Sequence, residues 1–310
     1  MSGRSLVQSP ALSPEAALRQ VSLQIAGRVV RFLAADDDVT LSVSGVRSSF
    51  IVGDDVTPTC VVTCEYGAPS PADAPVVAES STLWELRRKT TGEDEITFYA
   101  PVGNERLAWS QLTVDETFNR ARLVQRRDWG DRPTLRVGYP VDELLMCRLL
   151  VSEGVLVVHG ATVEYEGMAL LFTGHSGAGK STIAAIAESA GARVLSDDRS
   201  IVTVRGSTPT VWGTPWHGTH RRGSPEAIPL TAMFLLVQDV DDRTEPMSPA
   251  RATGELLVRL IHPGSRPADM ERLLDSVATV AERVPMAALR FRPTVDAFHL
   301  AVDFARRGVQ

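Results

Sequence analysis

Short runs of alternating apolar and polar residues fill the first 138 positions. VSLQIAGRVVRFL, VTLSV, SSFIV, CVVTCEY, EITFYA, RLAWSQLTV and RARLVQRR are rich in β-branched and aromatic residues. Each reads as a strand or strand pair. Clusters of Asp, Gly and Pro at 35–38, 53–55 and 67–75 separate them as turns. The pattern predicts a β-rich N-terminal domain over 1–138, whose small, polar, proline-bearing first fifteen or so residues form a loose tail. Residues 128–133, with Trp129 and Gly130, read as a short linker.

From residue 139 the period changes. In YPVDELLMCRLLVSEG, Pro140 suits a first helical position and Asp142 and Glu143 suit the first turn. A mostly apolar helix follows, and Gly154 ends it. VLVVHG reads as a buried strand ending at His159. ATVEYEG turns into MALLFTG, a second apolar strand. STIAAIAESA predicts a helix and GARVLSDD a strand. Residues 210–225 (TVWGTPWHGTHRRGSP) read as a loop, and PLTAMFLLVQ as a buried strand. Helices are expected over 249–261 and 267–283, a strand at AALRFRP, and an amphipathic helix over 295–307. Alternating helix and strand periods mark an α/β core, predicted over 139–310.

Composition narrows the classes. The 310 residues are 44% hydrophobic and 23% charged, as in an ordinary globular protein. A net charge of −6 argues against nucleic-acid binding as the main function. No apolar run reaches the length of a membrane helix, and the first twenty residues lack a secretory signal pattern. A cytoplasmic protein with no membrane partner is expected. Cys60 and Cys64 stand four apart in one strand, about 13 Å, too far for a disulfide. With Cys147 they read as buried thiols of a reducing compartment.

One segment carries specific chemistry. Gly174, His175, Ser176, Gly177, Ala178, Gly179, Lys180 and Ser181 match G-x-x-x-x-G-K-[ST] at every fixed position, between an apolar strand and a helix. Glycines let backbone N–H groups approach phosphate oxygens, and the helix start adds its positive dipole end. Lys180 can reach the β- and γ-phosphates of ATP, and Ser181 can offer its hydroxyl to Mg²⁺, with Thr182 beside it. The chain holds only two lysines, Lys89 and Lys180, so this placement is informative. A glycine-rich turn without a ligand is the plain alternative. The same loop text occurs in transporter-type ATPases. Those carry an LSGGQ-like signature and an apolar strand ending Asp-Glu, and neither is present.

Asp197 and Asp198 follow the strand ARVLS, 17 and 18 residues after Lys180. If that strand lies beside the P-loop strand in a parallel sheet, its C-terminal end sits by the phosphates. One carboxylate can then assist Mg²⁺ and the other can accept a proton from an attacking hydroxyl. A solvated turn is the alternative. His159, 15 residues before Gly174, can orient a phosphate or be a satisfied core histidine. His217, Arg221 and Arg222 are candidate substrate or phosphate contacts. Trp212 and Trp216 are either a platform or core.

The segment HGATVEYEGMALLFTGHSGAGKSTIAAIAESAGARVLSDDRSIV resembles the catalytic core of the HPr kinase/phosphorylase family. That family writes His-Gly, a short hairpin, GxSGxGKS, a helix, and an apolar strand ending Asp-Asp. The likeness covers about 45 residues closely and 140–304 loosely. It implies the P-loop kinase core shared with ATP-type phosphoenolpyruvate carboxykinase. It further implies Asp197 as general base, Asp198 with Ser181 near Mg²⁺, His159 near the transferred phosphate, and a homo-oligomer. The bacterial regulatory kinases have Asp where His175 stands and Glu where Thr182 stands. They also carry a downstream Glu-x-Arg-Gly-x-Gly, where this chain has GTPWHGTHRRGS. That stretch resembles HPr-kinase-like proteins of peptide-modification clusters rather than kinases of HPr itself. The expected function is transfer of the γ-phosphate of ATP to a hydroxyl, a serine of a peptide or protein. A nucleotide-binding regulatory module without phosphotransfer, or a kinase for free serine, are the alternatives.

Overall fold

The structure, a computed structural model, describes residues 18–80, 82–128, 134–205, 208–218 and 220–308. It is a mixed α/β molecule with two large sheets. The expected loose tail and, apart from Asp128, the expected linker lie outside the described residues. No helix among the described residues is long and apolar enough to cross a membrane.

The first sheet begins with a hairpin. β1 (Gln20–Ile25) and β2 (Arg28–Ala34) pair antiparallel, so the run VSLQIAGRVVRFL folds back on itself at Ala26 and Gly27, both at positive φ. β3 (Leu41–Ser42), β4 (Ile51–Val52), β5 (Cys60–Tyr66), β6 (Val76–Ser80), β7 (Trp84–Arg88), β8 (Asp94–Val102), β9 (Glu105–Val114) and β10 (Arg120–Gln125) follow. Nine of these strands form one sheet in the order β4-β1-β2-β5-β10-β9-β8-β7-β6. The expected strand SSFIV is only Ile51–Val52. Gly45–Phe50 wind as a 3-10 turn that buries Phe50. In β5, Cys60, Val62 and Cys64 point into the core and Thr63 points out. Burial pushes both thiols up to about 12, so they stay protonated and inert. β3 leaves the large sheet to pair with β11 (Leu135–Arg136).

Helix α1 (Val141–Ser152) starts one residue later than expected, with Pro140 as its cap and a cis Tyr139–Pro140 bond. Every residue from Val141 to Val151 is buried. A helix apolar nearly all round needs partners on all sides. Leu144, Leu145, Leu149 and Leu150 enter the core of the first sheet, while Val151 enters the core of the second. Arg148, fully buried, donates to Asp94 of β8 at 2.9 and 3.1 Å and to the carbonyl of Pro263 at 3.2 Å.

The second sheet contains β12 (Leu156–Tyr165), β13 (Met168–Thr173), β14 (Arg193–Ser196), β15 (Arg199–Arg205), β16 (Thr208–Trp212), β17 (Ala227–Gln238), β18 (Arg243–Pro246) and β19 (Met286–Phe291). Its order is β13-β12-β15-β16-β17-β19-β18. β14 adds to β12, and β13 also pairs parallel with β17. β12, β13, β15, β16 and β17 therefore close into a ring. Helices α2 (Lys180–Ser189), α3 (Pro249–Leu257), α4 (Pro267–Arg283) and α5 (Val295–Gly308) cover it. In β13, Leu170 and Phe172 pack with α2 and α5, while Ala169 and Leu171 pack with α3 and α4. Both faces are covered, which explains why the strand reads as one apolar run.

Three expectations are corrected. β12 does not end at His159 but runs on to Tyr165. Leu156–His159 pair with β15, and Gly160–Tyr165 pair with β13. Residues 208–212 form a strand of this sheet, although 210–225 read as loop. α3 stops at Leu257, short of 261.

Candidate phosphate-binding site

β13 delivers Gly174 to a tight loop that enters α2 at Lys180. Gly177 has φ +80°, and Gly179, the cap of α2, has φ +104°. A Cβ on Gly179 would come within 2.9 Å of Phe291 Cζ, and one on Gly174 within 2.7 Å of Ala178 Cβ. Side chains are excluded here by conformation and by space. Gln238, at the end of β17, donates to the carbonyl of Gly177 at 2.9 Å and ties the loop down. The Lys180 ammonium donates back to the carbonyls of Gly174 (3.2 Å) and His175 (3.1 Å). Burial lowers its pKa, against the pull of Asp198; the charges of Arg199 and Arg259 lower it further.

β14 is not the immediate neighbour of β13, as the sequence suggested; β12 lies between them. It runs antiparallel to β12, which runs antiparallel to β13. Two reversals restore the direction, so Asp197 and Asp198 leave β14 at the edge where the P-loop leaves β13. Buried hydroxyls fix this corner. Ser200 Oγ lies 2.7 Å from both Thr162 Oγ1 and Ser196 Oγ and donates to the Gly160 carbonyl at 3.1 Å.

Asp197 is buried and accepts the backbone N–H groups of Gly218 (3.0 Å) and His220 (2.8 Å), one on each oxygen. Asp198 faces His159, with Nε2 to Oδ1 at 3.3 Å, and pairs with Arg199 through Oδ2. Burial would raise the Asp198 carboxyl. The His159 hydrogen bond and the charges of Arg199, His159 and Lys180 outweigh it and hold the group below the usual range.

Nine of the expected residues line one cavity of about 400 Å³. They are His159, Ser176, Gly177, Gly179, Lys180, Ser181, Thr182, Asp197 and Asp198. Gly174 and His175 line a second cavity of about 280 Å³ that His159 shares. Ala178 turns into the core under the loop. Trp212 packs against the first core and donates to Thr203 at 3.0 Å. Arg222 binds Glu188 of α2 at 2.8 Å and so docks its loop instead of facing the cavity. Arg221 is exposed, at φ +52°. His217 borders a further cavity next to Asp198.

Two site residues escaped the sequence. Arg259 lines the 280 Å³ cavity, and its carbonyl accepts the His159 N–H at 2.9 Å. Its Nε is buried without a partner. Arg199 bridges Asp198 to Glu143 of α1 at 2.9 Å. Arg259 stands outside any motif, and Glu143 reads only as a helix-start acid.

Among the described residues no group of three or more His, Cys, Asp and Glu could hold a metal alone. The donors fit Mg²⁺ arriving with a polyphosphate, which takes one or two protein oxygens and keeps phosphate and water for the rest. Ser181 and Asp198 would supply those oxygens.

No family model matches the chain, and no curated protein matches its sequence. Among solved structures, the chain is similar to the Hpr(Ser) kinase/phosphatase from Coxiella burnetii. Identity is 11%, the match covers 49% of this chain and 97% of that one, and the TM-score is 0.32.

Proposed function

We propose that this protein is an ATP-dependent kinase that transfers the γ-phosphate to a hydroxyl, that of a serine in a peptide or protein. The observation that supports it is one shared cavity. A buried ammonium, a glycine loop at a helix start, a histidine and two adjacent carboxylates all border it. In this reading residues 139–310 are the catalytic domain, and 1–138 are a β-rich domain packed onto it through α1.

The loop amides from 174 to 181 and Lys180 bind the β- and γ-phosphates. Ser181 and Asp198 would hold Mg²⁺, which would supply charge neutralisation on the phosphate oxygens. Asp197 is the general base: each of its oxygens holds one amide and keeps a further lone pair. It takes the proton as the acceptor oxygen bonds to the γ-phosphorus and the bond to the β–γ bridging oxygen breaks, leaving ADP. His159 orients the transferred group and keeps Asp198 in place.

Asp197→Asn tests the assignment. Phosphate transfer should fall about 10²–10⁴-fold, with Mg·ATP affinity by calorimetry changed little. Unchanged transfer removes the general base. No heat with either Mg·ATP or Mg·GTP removes the kinase reading altogether.

A further inference from the structure

A third cavity, of about 240 Å³, shares Asp198 with the phosphate cavity. Its wall comes from three parts of the chain. Arg47 belongs to the 3-10 turn of the first sheet, Tyr139 and Glu143 to the start of α1, and Arg199, Trp216 and His217 to the second sheet and its loop. The charges within it are matched. Arg47 holds Asp142 through Nε (2.6 Å) and Nη2 (3.3 Å). Arg199 holds Glu143 through Nε (2.9 Å) and Asp198 through Nη1. The lining itself holds two arginines, Arg47 and Arg199, and two carboxylates, Glu143 and Asp198.

Two guanidinium nitrogens of the lining nonetheless have no acceptor among the described residues. Arg47 Nη1 and Arg199 Nη2 make no hydrogen bond. Trp216, 2% exposed, forms part of the wall. Unpaired donors in a charge-balanced pocket select neutral oxygens. A carboxylate or phosphate entering here would face Glu143 and Asp198. Main-chain carbonyls suit the donors without that repulsion. A cavity this size admits one residue with its flanking peptide groups, and Asp198 places its far end beside the phosphate site.

Resting on the kinase reading above, we propose that this cavity seats the acceptor residue of a polypeptide. Arg47 Nη1 and Arg199 Nη2 hold its main-chain carbonyls beside the Trp216 ring, while its side-chain hydroxyl points toward Asp197 and Asp198. The β-rich N-terminal part thereby completes the acceptor site through Arg47.

The test uses the full chain, ¹⁵N-labelled, and follows the tryptophan indole N–H resonances. Trp216→Phe identifies that of Trp216. The probe is N-acetyl-L-serine N-methylamide, with N-acetyl-L-serine and O-phospho-L-serine as anionic comparisons. The Trp216 resonance should shift saturably with the neutral probe. Arg47→Lys keeps a cation facing Asp142 but loses the third guanidinium nitrogen, and should weaken the probe about tenfold. Arg199→Lys, followed by calorimetry, should weaken it similarly and serves if the Arg47 variant does not fold. A Trp216 resonance that stays still up to the solubility limit of the probe overturns the site. Tighter binding of either anion overturns its neutral selectivity. Mg·ATP titrated into the same sample separates the two readings. If the amides of Gly177 and Gly179 move while Trp216 ignores the probe, the kinase reading stands and the acceptor site falls. If Trp216 responds and those amides do not, the acceptor role falls with the kinase reading.

Discussion

His159 Nε2 lies 3.3 Å from Asp198 Oδ1, although the two residues come from opposite sides of the P-loop in sequence. The contact arises because β12 carries His159 to the edge where β14 ends. It sets the protonation of Asp198. Burial there opposes ionisation, and His159, Arg199 and Lys180 together reverse the balance.

A pH dependence follows from that reversal. The unfolded aspartate titrates near about 3.9, and the folded one lies lower. Such a group contributes stability that is fully present above the unfolded value and lost as pH falls through the folded one. Urea unfolding between pH 2.5 and 7 should show this acid limb. Asp198→Asn should flatten it, and His159→Ala should move its midpoint upward. An acid limb identical in the Asp198 variant would contradict the assignment.

Gly179 is constrained twice, by φ +104° and by Phe291 Cζ only 2.9 Å from where a Cβ would sit. Gly179→Ala should cost about 1–3 kcal/mol of stability and weaken Mg·ATP at least tenfold by displacing the loop amides. Thermal unfolding and calorimetry on one preparation measure both. Gly254, on α3, has nothing within 4 Å of its Cβ position. Gly254→Ala is the control and should leave nucleotide affinity unchanged.

Asp94 neutralises two arginines, Arg88 at 2.7 Å and the fully buried Arg148 at 2.9 Å. Removing one partner of a buried pair leaves a charge without compensation. Asp94→Ala should therefore lower stability by about 3–5 kcal/mol, read as a shift of the urea midpoint. The double change Asp94→Leu with Arg148→Met should recover part of the loss, since it removes the fully buried Arg148 charge, while the half-buried Arg88 keeps the Gly264 carbonyl at 2.6 Å.

The strand, glycine loop and helix over 168–189 were legible because their requirements are local: an apolar strand, glycines at fixed offsets, a lysine opening a helix. β13, α2 and α4 were legible for the same reason, their apolar periods being uninterrupted. Gly160 hid the continuation of β12. A His-Gly pair reads as a strand end, yet Gly160 is needed because a Cβ would meet the Phe172 carbonyl at 2.9 Å and Leu171 Cδ2 at 3.0 Å. β6 and β7 were missed because few of their side chains are buried. β16 was missed because Pro209 stands within its five residues and Gly213 follows it, which reads as loop although the strand pairs with its neighbour β15 and with β17. Arg47 reaches Asp142 across 95 residues, a juxtaposition that no local period encodes.

α1 has no solvent-facing side from Val141 to Val151. A recombinant fragment beginning at residue 139 would display Leu144, Leu145 and Leu149 to water where β-strands now shield them. Such a fragment would self-associate during expression. Producing residues 139–308 alone therefore requires redesigning that helix's outer surface, and it would dispense with Arg47 at the same stroke.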